Sequence, residues 1–461
     1  MARAVNQLST FRVFDDQHAR LALVVLVTLP SVYVWSLPFL AGEGLHFAER
    51  CTGFPRCAGT YAGMISVGNL VANPQATGAY AAVFFWPAFH LWSLKGVIPA
   101  VLGQHTGLAL VLVFYLSFAA HMVIPVTLSH AGHTLACISY GLSALVIFTL
   151  LLWRFRARRL ASFKFLLAVA AGAFCFSTLV MGADCLQQVL GREPLPVAPQ
   201  LWPWLLYAAQ ASSLSCLSLL PWFWRVGDAV AEEEAYTPEA GSLANLLSID
   251  TFVVLGRSRL RYSLLVLAAL PVAYVWTLPL LAMLGFARLC DEFPRCADGD
   301  VGASVSNFIA TPQATGAMAA AFFWPMAHMW THKADIDGTS NFALLIGFYA
   351  TFGLFLALPV TVYAKPHAMV VFAFCLCGLA YFGKALRHWR ETELRYAKMI
   401  LLVSIVSFAS VVALVAVNSI VNGLTGIEIV KEYAPWLFYV CEAAGLSSMS
   451  LLPWFWHVQQ H

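Results

Sequence analysis

Side chains able to do chemistry are scarce in this chain, and the sharpest of them is Glu442. It falls early in the last apolar stretch, within YVCEAAGLSSMSLLPWFW (Tyr439 to Trp456). A carboxylate at membrane depth must be paired, protonated or facing water, so Glu442 is a candidate acid–base group or proton carrier. A hydrogen-bonded structural carboxyl is the alternative reading. The histidines come next. His90 and His328 stand at matching places in FFWPAFHLW and FFWPMAHMW, and His133 matches His367, whereas His121 and His130 have no such counterpart. His328 joins Glu442 as a catalytic candidate for proton movement; a hydrated interfacial histidine is the bland reading. Asp184 is a second acid within an apolar run.

A polar run precedes each FFWP block: MISVGNLVANPQATG (Met64 to Gly78) and ASVSNFIATPQATG (Ala303 to Gly316). Ser66, Asn69 and Gln75 match Ser304, Asn307 and Gln313, with Ser306 beside them. Proline suits the first turn of a helix, and the preceding Ser and Asn are able to cap amides that hydrocarbon would leave unpaired. These seven residues are therefore either a helix start or a site for an anionic head group.

Cys51 and Cys57 in CTGFPRC correspond to Cys290 and Cys296 in CDEFPRC. Their spacing around a Phe-Pro turn predicts two structural disulfides in oxidising loops. The CTGFPRC and CDEFPRC stretches themselves hold no histidine and no second cysteine pair, so a zinc site is not expected. Cys137, Cys216 and Cys441 lie in apolar runs and read as small buried hydrophobes. HExxH, GxSxG, Walker and dinucleotide patterns are missing from any sensible context, and no metal or cofactor is expected.

The elements that must position these residues are membrane helices. Of 461 residues, 60% are hydrophobic and 11% charged, with mean hydropathy +0.76. A soluble domain carries about 25% charged residues. The first residues include Asp15 and Asp16 with no apolar stretch before Leu21, so the first membrane helix is expected to act as an uncleaved signal. Apolar runs long enough to cross a bilayer recur near 21–41, 68–92, 105–127, 134–152, 163–183 and 201–224, and again near 262–284, 307–330, 342–363, 368–386, 399–421 and 435–457. The expected fold is all-α and polytopic, with about 12 transmembrane helices. Residues 1–227 form a first six-helix repeat and 259–461 a second. A connector at 228–258 carries Glu232, Glu233 and Glu234, and a short amphipathic piece is expected at 245–255.

The duplication is explicit. PQATGAYAAVFFWP (Pro74 to Pro87) recurs as PQATGAMAAAFFWP (Pro312 to Pro325), LPSVYVWSLP (Leu29 to Pro38) as LPVAYVWTLP (Leu270 to Pro279), and SLLPWFW at both Ser218 and Ser450. Tryptophans at helix ends read as an interfacial belt. Arg154, Arg156, Arg158 and Arg159, and likewise Lys384, Arg387, Arg390, Arg395 and Lys398, follow equivalent spans. Placing both clusters in the cytosol puts both termini and the connector there, with loops 42–66 and 285–303 on the luminal or outer side. Six spans per half make the repeats parallel.

SVSNFIATPQATG (Ser304 to Gly316) and LFYVCEAAGLSSMS (Leu437 to Ser450) resemble the luminal signature and last helix of the six-span Frag/DRAM/Sfk family, which includes lipid-remodelling proteins acting on GPI anchors. The resemblance covers both halves and implies a tandem duplication of the family unit. It nominates Ser304, Ser306, Pro312, Gln313 and Glu442, with Ser66, Pro74 and Gln75 in the first half. Departures are Gln210 in place of the glutamate, and Ala76 and Ala314 where a basic residue follows Pro-Gln.

Three functions follow as expectations. The first is remodelling or recognition of GPI or phospholipid in a secretory-pathway membrane, at a luminal head-group site. The second is a proton-coupled transporter, and the third a structural or assembly subunit of a membrane complex. Membrane lipid and other membrane subunits are the expected partners, and nucleic acid is not one. Whether the chain is an enzyme stays open.

Overall fold

The computed structural model describes residues 16–42, 45–52, 54, 64–93, 104–154, 156, 161–190, 203–234, 256–297, 301–331, 339–391 and 394–460. Among them every regular element is a helix. Apolar segments leave no partner for backbone amides except the chain itself, and a helix pairs each one internally.

Two compact units divide the chain: Met1–Ala76 with Val83–Val254, and Thr77–Ala82 with Leu255–His461. The first holds α1 (Asp16–Leu40), the four-residue α2 (Val67–Leu70), most of α3 (Pro74–Ser93), α4 (Gln104–Val123), α5 (His130–Arg154), α6 (Ala161–Val189) and α7 (Leu205–Glu234). The second holds α8 (Gly256–Met283), the four-residue α9 (Val305–Phe308), α10 (Pro312–Thr331), α11 (Thr339–Ala357), α12 (Val360–His388), α13 (Arg395–Thr425), α14 (Ile429–Tyr433) and α15 (Leu437–Gln460). Within the first unit α7 packs on α1 and α6, and α5 on α4 and α6; within the second α15 packs on α8 and α13, and α12 on α11 and α13.

Five helices among the described residues are long and apolar enough to cross a membrane: His130–Trp153, Phe163–Leu186, Leu265–Met283, Val360–His388 and Arg395–Thr425. Shorter apolar helices include Val24–Leu40, Ala109–Val123, Leu205–Leu220, Ala343–Ala357 and Leu437–Leu452. Their outward faces carry exposed Phe39, Leu116, Leu179, Met369 and Leu424. Apolar surface of that extent suits lipid as solvent. Inside, rings fill the core: Phe114, Phe118, Tyr140 and Phe174 in the first unit, and Phe348, Phe374, Phe382 and Phe408 in the second.

Side-chain hydrogen bonds tie the helices together at matched sequence positions. In the first unit Tyr33 donates to the Ala76 carbonyl (2.7 Å), Trp35 to Ser215 Oγ (3.1 Å), and Tyr207 to the Val34 carbonyl. In the second, Tyr274 donates to the Ala314 carbonyl (2.6 Å), Trp276 to Ser447 Oγ (3.0 Å), and Tyr439 to the Val275 carbonyl. Trp35 and Trp276, read from sequence as interfacial, thus also cross-link helices.

Three local departures from the sequence expectation have physical causes. The polar run before each FFWP block is two elements, a single turn (α2 or α9) and then a long helix, because Asn73 and Thr311 start a fresh cap. Asn73 Oδ1 accepts from the Ala76 amide (2.9 Å) and Thr311 Oγ1 from the Ala314 amide (3.2 Å). Helix α7 runs on to Glu234, into the stretch read as connector, because Glu, Ala and Val are helix-compatible residues there. The proposed piece at 245–255 lies outside the described residues. Finally, α12 is kinked at Tyr363 (φ −129°, ψ 50°), since Pro366 lacks an amide proton and crowds the preceding turn.

Candidate functional site

A loop closed by a disulfide leads into the site. Cys290 and Cys296 form the expected disulfide. Of the first pair, Cys51 and Cys57, Cys57 lies outside the described residues. Beyond this loop, Arg288 N–H donates to the Phe308 carbonyl (2.9 Å) and Ala303 N–H to the Pro435 carbonyl (2.9 Å), which fix both sides of α9. In the first unit Glu49 N–H meets the Leu70 carbonyl (2.8 Å) and Ile65 N–H the Pro203 carbonyl (2.9 Å).

Ser304 caps α9. Its extended backbone (φ −138°, ψ 160°) lets Oγ accept from the Asn307 amide (3.1 Å) while the hydroxyl donates to Asn307 Oδ1 (2.6 Å). Ser66 does the same for α2: Oγ accepts from the Asn69 amide (3.2 Å), and its hydroxyl and amide both donate to Asn69 Oδ1 (2.6 and 3.0 Å). Four of the seven residues nominated as head-group ligands are thus first of all each other's partners.

One donor is left over. Asn307 is 1% exposed, and its Nδ2 has no hydrogen-bond partner among the described residues. A buried donor without an acceptor costs about 1–3 kcal/mol, so this atom asks for an oxygen from elsewhere.

Glu442 is buried and its Oε2 accepts from the Val305 amide at 2.7 Å. Residues this far apart in sequence meet because α15 passes the start of α9. Its counterpart Gln210 makes the matching bond: Oε1 accepts from the Val67 amide at 2.8 Å, while Nε2 reaches Met181 Sδ at 3.7 Å. The first amide of a single-turn helix needs an acceptor, and the amide oxygen of Gln210 fills that place in the first unit as the carboxyl of Glu442 does in the second.

His367 brings the last piece. Its Nδ1 bonds the Leu358 carbonyl, and its Nε2 lies 2.8 Å from Ser306 Oγ. A carbonyl only accepts, so Nδ1 carries the proton, and in the neutral ring Nε2 is the acceptor for the Ser306 hydroxyl. The ring packs beside Phe355 (centroids 5.4 Å). In the first unit His133 Nδ1 bonds the Ile124 carbonyl (2.7 Å), but Gly68 stands in the place of Ser306 and Nε2 points toward Cys137 Sγ at 3.5 Å. A Cβ on Gly68 would sit 2.4 Å from His133 Nε2.

The structure therefore joins Ser304, Ser306, Asn307, His367 and Glu442 around α9. Gln313 is half-buried at the start of α10, and Gln75 is buried with Nε2 3.3 Å from the His46 carbonyl. The side chains of His328 and His90 lie outside the described residues, although both positions are helical. Sequence reasoning held His367 as one of four matched histidines and had no means to connect it to Ser306. The available signal was the Ser306/Gly68 difference inside an otherwise matching turn. Among the described residues no group of three or more His, Cys, Asp or Glu is placed to hold a metal ion.

Comparison with protein-family models, with curated proteins and with solved structures gives no match to this chain.

Proposed function

We propose that this chain is a lipid-handling integral membrane protein, built as two parallel six-helix repeats of about 12 spans in total. Its second half would hold a phospholipid or GPI head group at the Ser304–Asn307 turn. The reading carries forward the resemblance to the Frag/DRAM/Sfk family and places the turn on the luminal side of a secretory-pathway membrane, with both termini cytosolic. The Cys290–Cys296 disulfide next to the turn supports an oxidising side.

The observation that carries the proposal is the unpartnered Asn307 amide within a buried polar cluster. Phosphate and ester oxygens are acceptors only, and they are the groups a buried N–H donor without a partner would take. In this reading Glu442 serves as the acceptor that holds the turn.

Native mass spectrometry of the full chain in detergent tests it. Wild type is expected to carry bound phosphate-bearing lipid, and Asn307→Asp, which keeps Oδ1 but replaces the donor with a repelling oxygen, is expected to lose it. Wild type free of lipid, or an Asn307→Asp variant that retains it, removes the basis of the proposal.

A structural or assembly role is the second reading, favoured by Gln210. That residue makes the bond of Glu442 without a charge, as a purely architectural tie would. Stable co-purification of other membrane subunits, without bound lipid, would select this reading.

A further inference from the structure

The geometry points to Ser306 as the nucleophile, and His367 as its general base, of an acyl-transfer reaction on a lipid ester, confined to the second half of the chain. This rests on the lipid-handling reading and names the chemistry at that same turn.

Three features of the pair go beyond what packing needs. First, Ser306 Oγ and His367 Nε2 lie 2.8 Å apart, within the reach that lets a base take a hydroxyl proton. Second, the Leu358 carbonyl sets the tautomer, so the lone pair of Nε2 faces the hydroxyl. Third, the backbone that carries Ser306 is held from several directions. Glu442 takes the Val305 amide, Arg288 N–H takes the Phe308 carbonyl, and the Ser304 cap closes the turn. A nucleophile held by elements outside its own turn is pre-organised for attack.

The first unit shows that the histidine's backbone tie does not require the hydroxyl. His133 keeps its bond to the Ile124 carbonyl opposite a glycine. Ser306 is therefore an addition to a frame that stands without it. The neighbouring Asn307 contributes N–H donors that no described group uses, the kind of donor that stabilises oxyanion character at an attacked carbonyl.

As Ser306 Oγ bonds the ester carbonyl carbon, its proton passes to His367 Nε2. The ester C–O bond breaks, the departing lysolipid oxygen takes that proton, and the acyl group stays on Ser306 as an ester. A water or a second lysolipid hydroxyl then attacks the acyl carbon, gives its proton to His367, and releases Ser306, which regains the proton. Hydrolysis or acyl exchange results according to the acceptor. His367 is a catalytic residue here; Glu442 and the Leu358 carbonyl are positioning groups.

The test uses full-length protein with vesicles of phosphatidylcholine, phosphatidylethanolamine and phosphatidylinositol bearing isotope-labelled acyl chains, quenched in acid and read by peptide mass spectrometry. Labelled acyl ester is expected on the peptide containing Ser306. It should vanish in Ser306→Ala, turn into a hydroxylamine-sensitive thioester in Ser306→Cys, and form about 10²–10⁴-fold more slowly in His367→Gln. Thr277→Ala, exposed on α8 with its hydroxyl bonded to the Ala273 carbonyl of the same helix, should match wild type. The wild-type adduct decides the matter even where a variant fails to fold. Bound lipid without an adduct and without released fatty acid overturns the acyl-transfer inference and leaves head-group binding standing. Absence of both lipid and adduct overturns both, and an adduct on another residue, or undiminished rate in His367→Gln, overturns the assignment.

Discussion

Replacing Glu442 by glutamine and by alanine separates an acceptor from a charge. In the structure Glu442 Oε2 lies 2.7 Å from the Val305 amide, deep inside the second unit. Alanine removes the acceptor and leaves a buried N–H unpaired, at about 1–3 kcal/mol. For so buried a site the upper part of that range, about 2–3 kcal/mol, is the working figure. For a unit of this size each kcal/mol moves the midpoint by about 2–4 °C, which predicts a fall of roughly 5–10 °C for Glu442→Ala. Glutamine keeps an oxygen where Gln210 already uses one at 2.8 Å, so Glu442→Gln should fall by less than about 3 °C. It should also retain acyl-ester formation at Ser306 to within about threefold, whereas loss of an acid–base group costs about 10²–10⁴-fold. Thermal melting followed by size-exclusion fluorescence, run beside the vesicle assay, gives both numbers. If glutamine proves as damaging as alanine, the charge matters and the comparison with Gln210 misleads. If alanine is silent, the Val305 bond contributes nothing.

Gly68→Ser would set a Cβ 2.4 Å from His133 Nε2, in a ring held at 2.7 Å to the Ile124 carbonyl. The ring has to move, and a loss of about 1–3 kcal/mol is expected from overpacking, read as a lowered midpoint; an unchanged midpoint would mean the ring is free to swing aside. Cys290→Ser opens a loop with a sequence separation of 6. For so short a loop the chain-entropy estimate gives about 2 kcal/mol, seen as lower thermal stability, and alkylation before reduction should leave Cys290 and Cys296 of wild type unmodified.

Much of the local architecture was legible. Helical class follows from apolar composition, since hydrocarbon forces the backbone to pair with itself. The Cys290–Cys296 pairing is legible because only five residues, around a Phe-Pro turn, separate the two cysteines. The Ser304 and Ser66 caps were visible as Ser and Asn three residues apart. The split of each polar run into a turn and a helix was harder, because Asn73 and Thr311 compete with Ser66 and Ser304 as start signals and only the backbone shows that both operate.

The Gln210/Glu442 break looked from sequence like a difference in charge, and therefore in chemistry. Folded, the two side chains do one job, accepting the first amide of a single-turn helix. The difference between Ser306 and Gly68 looks minor in the sequence and decides whether His367 or His133 faces a hydroxyl. Sequence by itself determined the helical, apolar character of the chain, its recurring segments and the short stretches in which polar residues gather, because hydropathy, capping and turn formation act over a few residues. Tertiary structure alone decided who meets whom. Ser306 and His367, and Val305 and Glu442, come together through helix packing, and packing depends on the fit of whole faces rather than on any residue's neighbours along the chain.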